Sequence, residues 1–420
     1  MTGLWPHRLW SVCAVACALF VTAGSRAALG SQEASKPVKT APAAPARPTT
    51  DPVAKKGDAI RETGDLAGAL ALYQKALAAT PRSVPLLWRV GTTQYEAERW
   101  KDAVTTFTRL VQVDPKHGAA LALRGLARFH LADYETAIVD LLQAKALGVS
   151  GDPDLGSVAR FHAGLTLTRL DQHEMALQTL GEFALEGNDS PRVIEAMGLP
   201  TLRMALLPSE LPPERRELIL MAGRASYLMA ARLLPAAKAA FEELVLRYPD
   251  TPNVHYAYGS FLLAEESDRA LTMFARELKL QPGHLYSLLQ LAFEHLKRGE
   301  PATARPWAEQ AVQVGPRNFV AYKALGQCQL EAGEVEPAIA SLETARALAQ
   351  DSPSVRFTLA QAYQRAGRGE DAARERAEFT RLDRLARIQR SGVQAVGGIA
   401  GDSTGPPRKQ PGLNPEDHRP

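Results

Sequence analysis

The amino-acid sequence predicts an all-α protein, a solenoid of about nine stacked helical hairpins with one broken unit in the middle. Three observations predict it. Small and bulky residues recur with a period of 34 residues along most of the 420-residue chain. Glycines and prolines mark the ends of helices at fixed places within that period. Apolar residues make up 45% of the chain, which is enough to build a core and too many for a wholly disordered protein.

Each copy of the period carries a small residue at its eighth position and another at its twentieth. Both are expected where two helices cross closely, since larger side chains would push the helices apart. The eighth-position glycines are Gly57, Gly91, Gly125, Gly164, Gly259 and Gly326. The twentieth-position alanines include Ala69, Ala103, Ala137, Ala338 and Ala372. A bulky residue follows four places later, and we expect it to fill the space between hairpins; examples are Tyr73, Phe107, Phe241 and Phe274.

Breaks in the helical pattern separate the two helices of each copy. The turn inside a hairpin is marked by Gly64, Gly299, Gly333 and Gly367. The end of the second helix is marked by Pro81, Pro115, Pro249, Pro282 and Pro316. Glycine ends a helix because it adopts left-handed backbone angles without cost, and proline cannot continue one.

This pattern resembles the tetratricopeptide repeat, and the resemblance covers about residues 51–391. It implies a right-handed superhelix of helical hairpins with a concave inner face. It also implies a protein that binds protein or peptide segments and does not itself catalyse a reaction. One binding mode of the family is set aside by the residues themselves: the chaperone-tail clamp needs a basic residue and an asparagine where this chain has Ala54 and Asp58.

The array divides into two blocks around an irregular, proline-rich unit. Block 1 covers residues 51–185, the broken repeat 186–217, and block 2 with a capping helix 218–391. Asp189–Pro191 is a typical helix start. Three prolines at 208, 212 and 213 then forbid a regular second helix, so a short helix pair with a proline loop is expected. Such a unit acts as a hinge or partner contact, or it is a tolerated insertion.

The first 30 residues have the pattern of an export signal. Arg8 precedes an apolar run from Leu9 to Ala23, and small residues allow cleavage after Ala27 or Gly30. An uncleaved anchor and a lipid-modified Cys17 are the alternatives. We therefore expect an exported protein, periplasmic or extracellular, with no membrane span in the mature chain. Residues 31–50 predict a disordered Pro/Ala linker, and residues 392–420 a disordered tail.

Charge and motif content exclude several functions. The balance of 49 basic and 46 acidic residues argues against a nucleic-acid binder. Three cysteines are too few for a disulfide scaffold, and cleavage of the signal would leave Cys328 alone. The sequence contains no metal-ligand, phosphate-binding or nucleophile motif, so we predict no enzyme, no metal and no cofactor.

The resemblance places positions 2, 5, 9, 12 and 13 of each first helix on the concave face. From these positions we predict a partner-binding set of Trp88, Tyr95, Phe129, Phe161, Arg169, Tyr256, Phe293, Lys323, Gln327 and Gln361. Exposed aromatic side chains on a rigid scaffold are typical hot spots of binding. The alternative for each ring is that it packs against the neighbouring helix and has no solvent contact.

Two functional hypotheses follow from the sequence. In the first, the protein is a non-enzymatic scaffold whose concave groove binds a protein or peptide segment. In the second, it is an adaptor or assembly subunit of a cell-envelope complex, docked through the broken repeat. A third, an enzyme with a solenoid accessory domain, is disfavoured because too few residues lie outside the repeats. The arginine-rich stretch 374–390 predicts a capping helix, with contact to an anionic membrane or nucleic acid as the alternative.

Overall fold

A computed structural model describes residues 51–149 and 152–397 of the chain. These residues form nineteen α-helices and two short 3-10 helices, and they contain no β-strand. The expected α-solenoid of about nine hairpins with a broken unit in the middle is confirmed for this part of the chain. The predicted export signal, the 31–50 linker and residues 398–420 of the predicted tail lie outside the described residues.

Eight helices form the four hairpins of block 1. They are α1 (Pro52–Glu62), α2 (Leu66–Ala79), α3 (Val84–Glu96), α4 (Trp100–Val113), α5 (Gly118–His130), α6 (Tyr134–Leu147), α7 (Pro153–Arg169) and α8 (His173–Leu185). A single helix, α9 (Pro191–Thr201), follows. Block 2 contains five hairpins, formed by α10 (Arg216–Ala230), α11 (Leu234–Arg247), α12 (Val254–Leu262), α13 (Ser267–Leu280), α14 (Leu285–Lys297), α15 (Pro301–Val314), α16 (Phe319–Glu331), α17 (Val335–Leu348), α18 (Pro353–Arg365) and α19 (Gly369–Gly397).

The small residue at the eighth position lies beneath the bulky residue of its own hairpin. A Cβ atom added to Gly57 would lie 2.6 Å from the ring of Tyr73, and one added to Gly91 would lie 2.6 Å from the ring of Phe107. These rings are fully buried. The two helices of a hairpin therefore pack closely because one side chain occupies the space that glycine leaves open.

In eight of the nine described hairpins, the turn between the two helices has one residue in the left-handed backbone region. Four turns use the predicted glycines, with φ between 72° and 87° at Gly64, Gly299, Gly333 and Gly367. Four other hairpin turns and the turn of the broken unit use different residues, with φ between 52° and 61° at Glu98, Ala132, Asp171, Arg232 and Arg203. The turn between α12 and α13 is the exception, with no left-handed residue. Elsewhere in the described array, the same turn geometry is kept whether or not glycine supplies it.

The broken unit has an intact first helix and a complete turn, and only its second helix is missing. Helix α9 begins at Pro191, as predicted, and ends in a turn in which the Met204 N–H donates to the Leu199 carbonyl at 2.9 Å. The chain then runs through residues 202–215 with two 3-10 turns, Pro208–Glu210 and Pro213–Arg215. We call residues 202–215 the strap. The expected short helix pair is reduced to one helix because prolines 208, 212 and 213 follow the turn.

Helix α10 packs directly against α9. A Cβ atom at Gly198 would lie 2.0 Å from the Ile219 carbonyl oxygen, and one at Gly223 would lie 1.9 Å from the Ile194 carbonyl oxygen. The Thr201 and Ser226 hydroxyls are 2.7 Å apart one turn farther along both helices. The Cβ position at Gly223 also lies 2.9 Å from the Gly198 nitrogen, and Thr201 and Ser226 each lie three residues beyond this crossing point. Helices α9 and α10 therefore run parallel. The strap is the return path that a second helix would otherwise provide.

Helix α19 covers the end of the array. Its buried residues include Ala372 and Leu382, and the Glu375 carboxylate accepts hydrogen bonds from Arg346 at 2.7 Å and Arg356 at 2.9 Å. The helix reaches Gly397, beyond the predicted end of the array at residue 391. The stretch from 392 to 396 has no proline, and paired glycines first occur at 397–398. Among the described residues, no helix has the length and apolarity needed to span a membrane.

Candidate binding surface

The first helices of the hairpins line one side of the array. Helix α3 contacts α5, α5 contacts α7, and α7 contacts α9; in block 2, α14 contacts α16 and α16 contacts α18. Contact between successive first helices places them on the side of smaller radius, which is the concave side of a solenoid. All ten predicted partner-binding residues lie on these first helices.

A continuous row of rings crosses this side of block 1. We call it the aromatic row, and it consists of Tyr95, Trp100, Phe129, His130, Phe161 and His162. Tyr95 contacts Trp100 edge-on with ring centroids 4.9 Å apart. Trp100 stacks on His130 at 4.2 Å, with ring planes 8° apart. The row therefore begins with rings from α3, α4 and α5 held face to face and edge to face.

The row continues into the fourth hairpin. The Phe129 ring centroid is 6.2 Å from that of His130 and 5.0 Å from that of His162. His162 in turn lies 5.8 Å from Phe161, and the Arg192 guanidinium lies over the Phe161 ring at 5.9 Å. Three hairpins are thereby joined by contacting rings, so the row is rigid.

The rings of the aromatic row are accessible to different degrees. Tyr95, Trp100, Phe129 and Phe161 are half-buried, and His130 is exposed. Burial raises the pKa of Tyr95 to about 12, so its hydroxyl stays protonated. Burial also lowers the pKa of His162 to about 4 and lowers that of His130. The row is uncharged at neutral pH and can offer apolar ring faces to a partner.

Two of the ten predicted residues are buried rings. Trp88 is 6% exposed and stacks on His117 at 5.1 Å. Tyr256 is 9% exposed and contacts His284 at 4.9 Å. Both histidines begin the next first helix and accept a backbone N–H through Nδ1, from Ala120 at 3.1 Å and Ser287 at 3.2 Å. The expected exposure of Trp88 and Tyr256 is therefore corrected, because the capping histidine of the following hairpin covers each ring.

Arg169 lies at the end of α7 and is occupied within the chain. Its Nη1 donates to the carbonyl of Ala205 in the strap at 3.2 Å, and its Nε lies 3.7 Å from the Glu210 carboxylate. The Arg169 guanidinium also lies 5.9 Å from the ring of Tyr134. Arg169, which the sequence predicts to contact a partner, therefore contacts the strap of its own chain.

The inner face of block 2 is more polar. The Lys323 ammonium lies 5.5 Å from the centre of the Phe293 ring, and both side chains are half-buried. Gln327 is 6% exposed, so its expected exposure is also corrected. Gln361 is exposed in a shallow, open concavity of about 290 Å³ between α18 and α19. That concavity also contains Phe357, which is 37% exposed.

A polar cluster around the buried Arg203 side chain joins the two blocks at the broken unit. The Arg203 guanidinium donates to the Glu174 carboxylate of α8 at 2.5 Å and lies 3.4 Å from the centre of the Tyr286 ring of α14. It also lies 5.7 Å from the ring of Tyr256, and its side chain is 7% exposed. The junction is therefore a packed contact between block 1 and block 2, centred on one arginine.

The sequence pointed to some of these residues and not to others. Trp100 lies on a second helix, outside the five inner positions, and Arg203 stands where other turns have glycine. The sequence did contain a signal that two of the predicted rings are covered. His117 and His284, which cover them, each follow a proline by two residues, at Pro115 and Pro282.

Catalytic features are weak among the described residues. No group of three metal-ligating side chains lies within reach of one ion in this part of the chain. Cys328 is 1% exposed, and burial raises the pKa of its thiol to about 12, which keeps it protonated and unreactive. The features of the inner face that best suit a function are therefore its shape and its aromatic rings.

Sequence comparison identifies the repeat directly. Two tetratricopeptide-repeat families match, one at residues 61–132 and 295–356 and the other at residues 223–284. The matched stretches lie in both blocks and on either side of the broken unit. The search of curated proteins found no significant match.

Solved structures with a similar fold include several of MamA. MamA of Desulfovibrio magneticus RS-1, residues 41 to the end, is 22% identical, with a TM-score of 0.37 over 40% of this chain and 96% of that one. A second MamA structure, labelled MSR-1, is 18% identical, with a TM-score of 0.35 over 40% of this chain and 98% of that one. The likeness is one of fold, and nothing further about MamA carries over to this chain.

Proposed function

We propose that this chain, whose repeats match tetratricopeptide-repeat families in both blocks, is a non-enzymatic scaffold that binds a protein or peptide segment on the concave face of block 1. The aromatic row carries this proposal. It offers half-buried, uncharged rings from three successive hairpins, held in place by one another. Rings that lose little conformational freedom on binding and bury large areas are effective binding anchors.

The partner that suits this surface is an extended segment or a helix with apolar anchors. The rings of the row are uncharged at neutral pH, and the Arg192 guanidinium at its end lies next to Phe161. The near balance of basic and acidic residues over the whole chain supports a protein partner in preference to a nucleic acid.

Site-specific photo-crosslinking tests the proposal. A photoreactive phenylalanine analogue at position 129 should crosslink a defined partner in cells, and the same analogue at position 357 serves as the control. Trp100→Ala in the position-129 protein should reduce that crosslink at least fivefold, since the ring that supports the row is lost. Equal crosslinking at both positions, or no effect of Trp100→Ala, would remove the aromatic row as the binding site.

A second candidate is the adaptor or assembly subunit of a cell-envelope complex that docks through the broken unit. One observation favours it: residues 213–217, at the end of the strap and the start of α10, are all exposed. The photoreactive analogue at position 214 tests this surface separately. A partner crosslinked from position 214 and not from position 129 would favour docking at the broken unit.

With either candidate we propose export to the periplasm or the cell exterior. It rests on the amino-terminal pattern of Arg8, the apolar run and the small residues before Gly30. Cell fractionation and the mass of the mature protein test it. A mature chain that begins at residue 28 or 31 supports export, and an intact amino terminus in the cytoplasmic fraction contradicts it.

A further inference from the structure

The strap lies on the concave side of the array. It contacts Arg169, at the thirteenth position of the α7 repeat, through the Ala205 carbonyl. At the start of the strap, Arg203 contacts Tyr256 and Tyr286, at the fifth and second positions of later copies. These are positions that line the inner face. The strap therefore occupies a part of the groove that, in a regular array, would face solvent.

The strap is held by its side chains, as a bound peptide is. Leu207 packs against the cluster that contains Leu165 of α7 and Met197 of α9. Met204, Leu206 and Leu211 pack against a different cluster, which contains Ile219, Tyr256 and the buried residues of α12 and α13. Leu207 thus packs on one cluster and the other three side chains on the second, and all four are only half-buried.

Apart from those of Arg203, the polar contacts of the strap with the scaffold are few. Arg169 contributes one charge-assisted hydrogen bond to the Ala205 carbonyl and one ion pair with Glu210 at 3.7 Å. Glu210 also accepts the Leu207 N–H at 2.8 Å, which fixes the 3-10 turn. The packing of α9 on α10 does not pass through the strap, since it is made by Gly198, Gly223 and their neighbours.

We propose that residues 204–211 are the resident ligand of a peptide site on the inner face of α7, α9 and α12. The site takes an extended, leucine-rich segment that carries a carboxylate three residues after its central leucine, as Glu210 follows Leu207. An external segment of this kind competes with the strap. Because the strap is part of the same chain, its effective concentration at the site is high. A competing peptide therefore binds weakly until the strap is released.

This inference rests on the proposed scaffold function but uses a different surface from the aromatic row. The probe is a labelled peptide with the sequence of residues 204–211, acetylated and amidated at its ends. The full chain is compared with a variant in which residues 204–211 are replaced by an equally long Gly/Ser chain. Far-UV circular dichroism and thermal unfolding report whether that variant is folded.

Fluorescence anisotropy should show saturable binding of the peptide to the Gly/Ser variant and at least tenfold weaker binding to the wild type. Arg169→Ala in the Gly/Ser variant should weaken binding a further tenfold, because the hydrogen bond to the Ala205 carbonyl is lost. A peptide of scrambled sequence is the control. A folded Gly/Ser variant that binds neither peptide, or binds both equally, would overturn the inference.

A second variant covers the case in which the Gly/Ser chain does not fold. A specific protease site is inserted between Ser209 and Glu210, both of which are exposed. Cutting converts the strap into two ends, and the cut protein should bind the peptide at least fivefold more tightly than the uncut protein. Unchanged binding after cutting would contradict a displaceable strap. Neither result changes the crosslinking at position 129, so failure here leaves the aromatic row to its own test.

Discussion

The regular hairpins and the broken unit use the same repeat glycine in two ways. In a regular hairpin, Gly91 lies beneath the Phe107 ring, and an added Cβ would meet that side chain at 2.6 Å. In the broken unit, Gly198 is 34 residues after Gly164, and an added Cβ would meet the Ile219 backbone carbonyl at 2.0 Å. The glycine permits close approach in both cases. In the regular hairpin a side chain approaches it, and in the broken unit the backbone of a neighbouring helix does.

The difference shows how a solenoid tolerates the loss of a helix. Without a second helix, α9 would leave an open space on its exposed side. Helix α10 closes that space, and Gly223, which has no place in the 34-residue period, makes the approach possible. Stacking of neighbours is preserved, and only the path of the chain changes.

The largest expected effect tests this backbone contact. Gly198→Ala should lower the free energy of unfolding by about 3 kcal/mol, because the methyl group overlaps a main-chain carbonyl that no rotamer change can move. Gly156→Ala is the matched control within helix α7, where an added Cβ has its nearest neighbour at 3.8 Å. It should be neutral or stabilise by up to about 1 kcal/mol. Urea unfolding followed by circular dichroism measures both, and an equal effect of the two substitutions would contradict the close crossing of α9 and α10.

The next effect concerns the turn arginine of the broken unit. Arg203→Ala should cost about 2 kcal/mol, because it removes a buried guanidinium from the Glu174 carboxylate and from two tyrosine rings. Arg232 holds the same turn position after α10, with φ of 60° against 52° for Arg203, and is exposed. Arg232→Ala should change stability by less than about 0.5 kcal/mol. Similar losses in the two variants would show that the junction cluster does not join the blocks.

Acid should weaken both regions through buried histidines. Burial, assisted by Arg203 and opposed by Glu277, lowers the pKa of His284 at the junction to about 4. An unfolded histidine has a pKa near 6.5, so the unfolded chain binds more protons below that pH. The free energy of unfolding should therefore fall as the pH falls from about 6.5 to 4, by up to about 1.4 kcal/mol per pH unit for each such group.

Replacing one histidine at a time shows which region of the molecule causes this change of the free energy of unfolding with pH. His284→Asn keeps an acceptor for the Ser287 N–H but cannot titrate, so the slope between pH 6.5 and 4 should become shallower. His162→Phe tests the aromatic row in the same way, because burial also lowers the pKa of His162 to about 4. Urea midpoints at a series of pH values measure the slopes, and slopes identical to wild type in both variants would exclude these two histidines.

The repeat spacing was sufficient to predict the helices, the turns and the side of the array that each first helix faces. It could not predict which rings are covered. Trp88 and Tyr256 occupy the fifth position of their copies and are covered by His117 and His284, whereas Phe161 occupies the same position and is half-buried. The residue that covers a ring belongs to the next hairpin, so exposure is set by pairs of residues about 28 apart and not by position alone.

The course of the strap was equally beyond the sequence. Prolines 208, 212 and 213 exclude a helix there, but nothing in their spacing shows that the chain returns along the concave side. That path depends on Arg169 and on the two apolar clusters that hold the leucines, which are brought together only in the folded array.

The smallest expected effect compares the turns of the regular hairpins with the turn of the broken unit. Ala132 has φ of 57°, where an alanine is strained and glycine is not, so Ala132→Gly should stabilise the chain by about 0.5–1 kcal/mol. Gly333→Ala, at φ of 83°, should destabilise it by a similar amount. Arg203→Gly relieves the same strain but loses the contacts with Glu174 and Tyr286, so it should destabilise. Thermal unfolding of the three variants measures the balance. If Arg203→Gly instead stabilises the chain, the contacts of the Arg203 side chain contribute less stability than its positive φ costs. The turn of the broken unit would then have no role in joining the two blocks.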